Sequence, residues 1–279
     1  MMTLTVRRWI NRAITGVIVV LGLIWTLFPV AWMIRTAVTP DKYLYDTTSG
    51  LLPKGVTFAN FARLFFQSKF PQFLLNSIEV AVVVTIVSLV FAILSSYSLT
   101  RLRFRGRTIL TKSILVSYLL PAAVLFIPMY VMVSRLGLAD NKWGLVVIYP
   151  TFVVPYCCYM LMSYFRAVPF ALEEAAAIDG CTRVQTLLKV VLPICAPGLA
   201  VVATFSFTMS WNEFMYALVV TTSPSQLTAM VGINSFKFAD SFLWGMLMAA
   251  SVVASVPAIA LYLYSQSKLM GEWSEGSVK

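Results

Sequence analysis

The sequence predicts an all-α membrane protein that crosses the bilayer with about six helices. Only 11% of its 279 residues are charged and 59% are hydrophobic, whereas soluble domains carry roughly 25% charged residues. A soluble fold of this size has too little polar surface to cover so many apolar side chains. Because lipid removes that conflict, we expect a polytopic membrane protein.

The distribution of charge predicts the number of spans. Six stretches of at least 21 residues contain no Asp, Glu, Lys or Arg. A helix needs about 20 apolar residues to cross the hydrocarbon core, and a charge at its centre costs about 2.5–3.5 kcal/mol. The uncharged stretches are 13–34, 80–100, 113–134, 143–165, 190–212 and 241–267.

Six spans leave room for loops but not for a separate soluble domain, so we expect a single transmembrane domain over residues 1–279. Pro121 and Pro128 fall inside the third span, where a proline removes a backbone donor and kinks a helix. The segment 36–72 is expected to be partly helical and to lie near the outer face. We place the second to fifth spans at about 74–99, 111–134, 143–164 and 197–220.

The basic residues predict the orientation of the chain. The net charge of +10 comes largely from Lys and Arg beside apolar spans, and such clusters favour the cytoplasmic side. One cluster precedes the first span and another, residues 101–112, follows the second. We therefore expect both termini in the cytoplasm and no binding to nucleic acid. The first uncharged stretch exceeds the 7–15 residues of a signal-peptide core, so we expect an uncleaved helix.

The loop of about 166–195, between the fourth and fifth spans, predicts a helical hairpin. A first helix starts after Pro169 with Glu173 and Glu174 in its first turn, where acidic side chains suit the helix dipole. Gly180 can adopt a left-handed conformation and end that helix. Three strong helix formers with short side chains fill its middle: Ala175, Ala176 and Ala177. On spacing alone, the hairpin could merely join two spans.

The hairpin also carries a spaced motif. Glu174-Ala175-Ala176 is followed after three residues by Gly180, and nine residues later by a Val-Val-Leu-Pro run that ends in Leu192 and Pro193. This pattern closely resembles the signature of ABC-importer permeases, with Val190 in place of isoleucine. Further matches resemble the carbohydrate-uptake branch, at 76–77, 96–97, 101–106, 120–121, 127–128 and 211–214.

The resemblance implies a type I ABC-importer permease fold in the bacterial inner membrane. It implies that the hairpin docks on a separate ATPase, with coupling assigned to Glu173, Glu174, Ala175, Ala176, Ala177, Asp179, Gly180, Leu192 and Pro193. The implied partners are a second homologous permease, two copies of the ATPase and an extracytoplasmic solute-binding protein. The implied cargo is a sugar, a polyol or a glycerol-phosphate compound.

The sequence lacks the motifs that ATP hydrolysis or metal-dependent catalysis within this chain would need. It contains no GxxxxGK[ST] phosphate loop and no Gly-Lys pair, so ATP and Mg²⁺ are expected on the partner. With no histidine, a zinc site is improbable, and we predict no catalytic residue and no metal. A self-sufficient secondary transporter is the alternative, and a membrane enzyme is a third class.

Two polar residues fall inside the fifth predicted span, Asn212 and Glu213. An unpaired carboxylate within a membrane is expensive, so Glu213 should face the bundle interior or water. Two interpretations stay open at this point. The pair either lines the translocation pathway or makes a structural contact with another helix.

Overall fold

The computed structural model describes residues 4–46, 50, 52–119, 122–237 and 243–276. The elements of these residues are all helical, as predicted. Numbered along the chain, the helices are α1 Leu4–Val38, α2 Asp41–Leu44, α3 Ala59–Phe66, α4 Phe70–Arg101, α5 Arg107–Leu119, α6 Ala122–Arg135, α7 Lys142–Ile148, α8 Pro150–Ala167, α9 Phe170–Ile178, α10 Arg183–Thr186, α11 Leu192–Ile194, α12 Ala196–Trp211, α13 Met215–Val220, α14 Ala229–Asn234 and α15 Trp244–Gly276. A π-helical segment, Leu187–Val191, joins α10 to α11.

Three of the described helices are each long and apolar enough to cross a membrane. They contain Asn11–Val38, Phe70–Arg101 and Trp244–Gln266. Three bent pairs pass the same test together: α5 with α6, α7 with α8, and the arm Arg183–Ile194 with α12. The six predicted spans are all accounted for when each bent pair counts as one span.

The fourth and fifth spans are not the continuous helices that the sequence predicted. The fourth bends by 41° between α7 and α8, because Pro150 has no N–H with which to continue the ladder of α7. The fifth, expected over 197–220, stops at Trp211 and resumes as α13 at Met215. Pro121 lies outside the described residues.

The ends of the sixth span also differ from expectation. We predicted 241–267 followed by a tail, but α15 begins at Trp244 and stays helical to Gly276. Positions 241–242 and 277–279 lie outside the described residues.

The chain forms two compact units, one within 1–68 and 233–253 and the other within 69–232 and 254–279. In the first unit, Asn60 of α3 donates hydrogen bonds to the carbonyl oxygens of Ala37 (2.9 Å) and Thr39 (3.3 Å). Side chains of α1 between Asn11 and Val38 are mostly exposed and apolar, as lipid requires. The single domain expected over 1–279 stays a prediction.

In the second unit, α4 packs against both α8 and α12. Its buried stripe recurs at helical spacing and contains small side chains such as Ala81, Ser88 and Ala92. Small residues allow helices to approach closely where lipid supplies no hydrophobic drive. Gly198 of α12 continues this pattern, because a Cβ there would lie 2.5 Å from the ring of Tyr164.

Candidate functional site

The hairpin predicted between the fourth and fifth spans is present, and α9 is its first arm. The helix starts directly after Pro169. It ends in a pair of bonds, Gly180 N–H to the Ala177 carbonyl (3.1 Å) and Cys181 N–H to the Ala176 carbonyl (2.9 Å). Together with a φ of +84° at Gly180, these form a Schellman turn. The glycine reverses the chain, as the sequence predicted.

The second arm begins with a capping box. Thr182 Oγ1 accepts from Gln185 N–H (3.3 Å), and Gln185 Oε1 accepts from Thr182 N–H (2.8 Å). The arm then widens into the π-helical segment before Pro193. Because Pro193 has no N–H, an α ladder cannot continue across it. The arm then meets α12 at a bend of 83°.

One surface of the hairpin is exposed and combines short, apolar and acidic side chains. Ile178 is 87% exposed, and Phe170 and Leu172 of the same helix are also exposed. The acidic groups on this surface are Glu174 and Asp179. The remaining coupling candidates divide between the two faces: Ala175, Ala177, Gly180 and Pro193 are exposed, Leu192 is half-buried, and Ala176 is buried.

Glu173 points the other way, into the protein. Its side chain is 8% exposed, and Oε1 lies 2.5 Å from Nε of Arg101 at the end of α4. Its other oxygen, Oε2, accepts a hydrogen bond from the Tyr97 hydroxyl (3.2 Å). The observed partners of Glu173 are therefore internal, and its assignment to ATPase coupling stays a prediction.

Arg101 also binds the end of α8. Its Nη2 donates to the carbonyl oxygens of Phe165 (2.6 Å) and Val168 (2.8 Å). These carbonyls lie at the C-terminal end of α8, where a cation suits the helix dipole. One guanidinium therefore contacts both α8 and α9.

An apolar cluster seats the hairpin on α4 and α8. Tyr97 and Phe165 meet edge to face, with centroids 6.4 Å apart. Leu187 and Val191 of the second arm pack into the same cluster. Sequence reasoning assigned no site role to Tyr97 or Arg101. The available signal was their spacing of four residues at the end of an uncharged span, which places them on one helix face.

Glu213 lies in the break between α12 and α13, away from the hairpin. Its Oε1 accepts from Tyr216 N–H (2.9 Å) and its Oε2 from Ala217 N–H (3.1 Å). The Tyr149 hydroxyl donates to Oε2 at 2.8 Å. The carboxylate therefore satisfies the first N–H groups of α13 and ties that helix to the start of α8. These contacts agree with the structural interpretation of Glu213.

A cavity of about 420 Å³ opens beside this break. Asn212, which is exposed, and Glu213 lie on its wall with Phe152, Phe205 and Tyr216. The rings of Phe152 and Tyr216 stack at 5.8 Å with an angle of 14° between planes. An apolar, aromatic wall with a few polar groups is typical of small-molecule sites. The structure thus places Asn212 and Glu213 together at this cavity, apart from the hairpin residues.

A polar network near the start of α4 was not anticipated from the sequence. Asp140, at φ +54°, accepts from the N–H groups of Thr222 (2.8 Å) and Ser223 (2.7 Å). Hydrogen bonds from Ser223, and then from Thr222, hold the pKa of Asp140 below its usual value. Asn76 donates to the carbonyl oxygens of Ser225 and Leu227, both at 2.9 Å. The segment 222–227 is thereby fixed to distant parts of the chain.

The described residues contain no group of three or more His, Cys, Asp or Glu side chains arranged to hold a metal ion.

Comparison with known proteins finds a family and individual proteins that are similar to this chain. The family described as "Binding-protein-dependent transport system inner membrane component" matches residues 88–268. The inner membrane ABC transporter permease protein YcjP of Escherichia coli is 32% identical, over 93% of this chain and 93% of its own. The diacetylchitobiose uptake system permease protein DasC of Streptomyces coelicolor is 33% identical, over 98% and 97%.

A third relative and a solved structure are also similar to this chain. The trehalose transport system permease protein SugB of Mycobacterium tuberculosis is 32% identical, over 91% of this chain and 93% of its own. A bacterial ABC transporter involved in the import of the polysaccharide alginate contains a chain of the same fold, with a TM-score of 0.81 at 22% identity, covering 96% of this chain and 98% of that one. This chain therefore belongs to the family of binding-protein-dependent transport system inner membrane components.

Proposed function

We propose that the chain is the permease subunit of an ATP-driven importer for a sugar or a related polar solute. It forms half of the translocation pathway beside a second homologous permease, and the loop 173–193 couples it to a separate ATPase. The observation that supports this most strongly is the exposed hairpin, whose residues match the family spacing at every interval.

The exposed surface of the hairpin suits close docking. Alanine side chains at 175 and 177 allow another protein's backbone to approach, and the apolar side chain of Ile178 supplies area to bury. Glu174 and Asp179 are exposed carboxylates available to cations of a partner, which favours orientation and specificity. A hairpin that moves as a rigid body can rock the helices it ends.

The remaining partners follow from the family. We infer two copies of the ATPase, which bind ATP and Mg²⁺ and carry out hydrolysis, and a solute-binding protein that delivers cargo at the outer face. A related alginate transporter has been solved in complex with its periplasmic protein. We infer from the basic clusters that both termini of this chain lie in the cytoplasm.

The cavity beside Asn212 supports a role in solute passage. A sugar ring offers apolar C–H faces, which pack on aromatic side chains, and hydroxyl groups, which need polar partners. Phe152, Phe205 and Tyr216 supply aromatic wall, and the exposed amide of Asn212 supplies both donors and an acceptor. Glu213 has a supporting role, because its oxygens already accept from two backbone N–H groups and one hydroxyl.

Co-purification of the assembled transporter tests the docking assignment. We expect Glu174→Lys to remove the ATPase from detergent-extracted complexes, because it reverses an exposed charge at the proposed contact. Thr108→Lys is the matched control, since it adds a lysine at an exposed position outside the hairpin, and the ATPase should be retained. A Glu174→Lys complex that keeps the ATPase and full uptake would contradict the assignment.

Reconstitution of the purified chain alone distinguishes the proposed permease from the alternative class. A self-sufficient secondary transporter would remain active as a purified lone chain in liposomes, whereas the proposed permease would be inactive without its ATPase.

A thermal-shift screen of the cognate solute-binding protein tests the cargo. Trehalose, maltose, diacetylchitobiose and alginate oligosaccharides form the first panel, since relatives are named for these or similar solutes. Stabilisation by a saccharide supports the proposal. Stabilisation only by amino acids, peptides or inorganic ions would contradict it.

A further inference from the structure

Arg101 joins the hairpin to two long helices through one ion pair and two hydrogen bonds. Its side chain is 10% exposed, and its Nε lies 2.5 Å from Oε1 of Glu173 in α9 as an ion pair. Its Nη2 donates hydrogen bonds to two carbonyl oxygens at the end of α8. It belongs to the last turn of α4. The inner ends of α4 and α8 and the start of α9 therefore meet at one guanidinium.

This contact has a different mechanical character from the apolar cluster beside it. Hydrophobic packing is non-directional, so packed helices can slide by small amounts past one another. A guanidinium is planar with donors in fixed directions, and its charge-assisted bonds are short and orientation-dependent. The two hydrogen bonds to the end of α8 therefore fix the direction of the guanidinium, and the ion pair holds Glu173 against it. The apolar cluster contributes non-directional packing.

The two consecutive glutamates of α9 face in different directions. Glu174 is exposed on the proposed docking surface, whereas Glu173 is buried against Arg101. The exposed face of α9 and its contact with Arg101 are therefore one residue apart in sequence.

We propose that the Arg101–Glu173 pair is the joint that transmits movement of the hairpin to α4 and α8. It is a positioning element and contacts neither ATP nor solute. The proposal rests on the docking function above, and it adds that the ATPase can remain bound while its stroke no longer reaches the bundle.

The test uses the complete transporter reconstituted in liposomes and needs no knowledge of the solute. An Asn212→Cys substitution supplies a reporter at the exposed position beside the cavity. It is placed in a Cys181→Ser background, because Cys157, Cys158 and Cys195 are buried. The measured quantity is the rate of reaction with a membrane-impermeant maleimide, without nucleotide and with MgATP trapped by vanadate.

With the joint intact, we expect nucleotide trapping to change the labelling rate about fivefold or more, the lower range of typical allosteric couplings. Glu173→Gln removes the charge, and Arg101→Lys replaces the planar fork by a point charge. In both variants the change should fall to about 1.5-fold or less while the ATPase still co-purifies. Tyr97→Phe is the matched control, since it removes only the hydroxyl that donates to Oε2 of Glu173. This variant should preserve the full change in labelling rate.

Three results would contradict the proposal that the Arg101–Glu173 pair transmits movement of the hairpin. The first is a full labelling change in both variants, and the second is an unchanged rate in the parent complex. The third is loss of the ATPase from both variants, because the pair would then shape the docking surface instead of transmitting movement. Glu174→Lys separates the two proposals: its retention of the ATPase contradicts docking, whatever the Glu173 and Arg101 variants show.

Discussion

Two carboxylates of the second unit, Glu173 and Glu213, are satisfied by the protein in different ways. Glu173 in the hairpin faces a guanidinium, and Glu213 in the broken fifth span faces two backbone N–H groups. Each also accepts a hydrogen bond from a tyrosine hydroxyl, Tyr97 in one case and Tyr149 in the other. Because both carboxylates share a tyrosine partner, they can be compared by their other partners, a guanidinium for Glu173 and backbone N–H groups for Glu213.

The difference indicates two structural tasks. A carboxylate bonded to the N–H groups of the next residues starts a helix where the chain has been interrupted, and it acts locally. A carboxylate paired with a cation from another helix joins distant segments and depends on that cation remaining in place. Glu213 thus holds the edge of a cavity, and Glu173 holds a hairpin against α4.

The largest expected effect comes from removing the cation. Arg101→Met leaves the carboxylate of Glu173 buried without its partner, which should destabilise the protein by about 3–5 kcal/mol. The double variant Arg101→Met with Glu173→Leu should recover most of this loss, because apolar replacement of a whole buried pair is often neutral. Thermal unfolding of the detergent-solubilised complex measures both. Equal midpoints for single and double variants would show that the ion pair is not the source.

The second-largest loss of stability is expected at the hairpin turn. Gly180→Ala places a side chain at φ +84°, a left-handed conformation that costs about 1–2 kcal/mol. Gly106→Ala is the matched control, since Gly106 has φ +87° and open space around it. Both should lower the unfolding midpoint alike, and only Gly180→Ala should weaken ATPase co-purification.

Gly180→Pro extends this test. Proline cannot adopt the positive φ and lacks the N–H that binds the Ala177 carbonyl, so uptake should be abolished while the chain still reaches the membrane fraction. Uptake at the parent rate would contradict the role of the turn.

A smaller effect is expected at the second carboxylate. Glu213→Gln keeps the shape and one acceptor oxygen, so the loss should be about 1 kcal/mol, the net value of one hydrogen bond. Tyr149→Phe removes one hydrogen bond to the same carboxylate. It should lower the unfolding midpoint by as much as Glu213→Gln does. A loss as large as that of Arg101→Met would remove the distinction between the two sites.

The smallest effect concerns Asp140, a third carboxylate, which is held by loop N–H groups and Ser223. Because its folded pKa lies below the usual 3.8, its contribution is complete above that value and is lost as pH falls through the depressed pKa. Limited proteolysis of 221–228 should therefore be unchanged between about pH 8 and pH 5. Asp140→Asn should increase cleavage at neutral pH, and equal cleavage would contradict the account.

Features encoded within a few residues were predictable from the sequence. The hairpin bounds, the reversal at Gly180 and the six uncharged spans each depend on local spacing and backbone preference, and the structure contains them. The helical assignment and the membrane character follow from the same local patterns.

Features that depend on distant pairs were not predictable. Arg101 was interpreted only as an orienting charge, because its partner Glu173 lies 72 positions later in the sequence and both had plausible local roles. The interruption at 212–214 depends on side-chain bonds that an apolar run does not reveal. The inward direction of Glu173 likewise required the packing of α9 on α4.

Cross-linking at the hairpin tests the central claim most directly. A photo-reactive residue at Ile178 and one at Phe66 compare two positions that are both 87% exposed, one on the proposed docking surface and one in a segment predicted to face outward. In the assembled transporter, position 178 should form an adduct with the ATPase and position 66 should not. The absence of an ATPase adduct at 178, or labelling of a cysteine at 178 by an impermeant reagent from outside intact cells, would contradict the account.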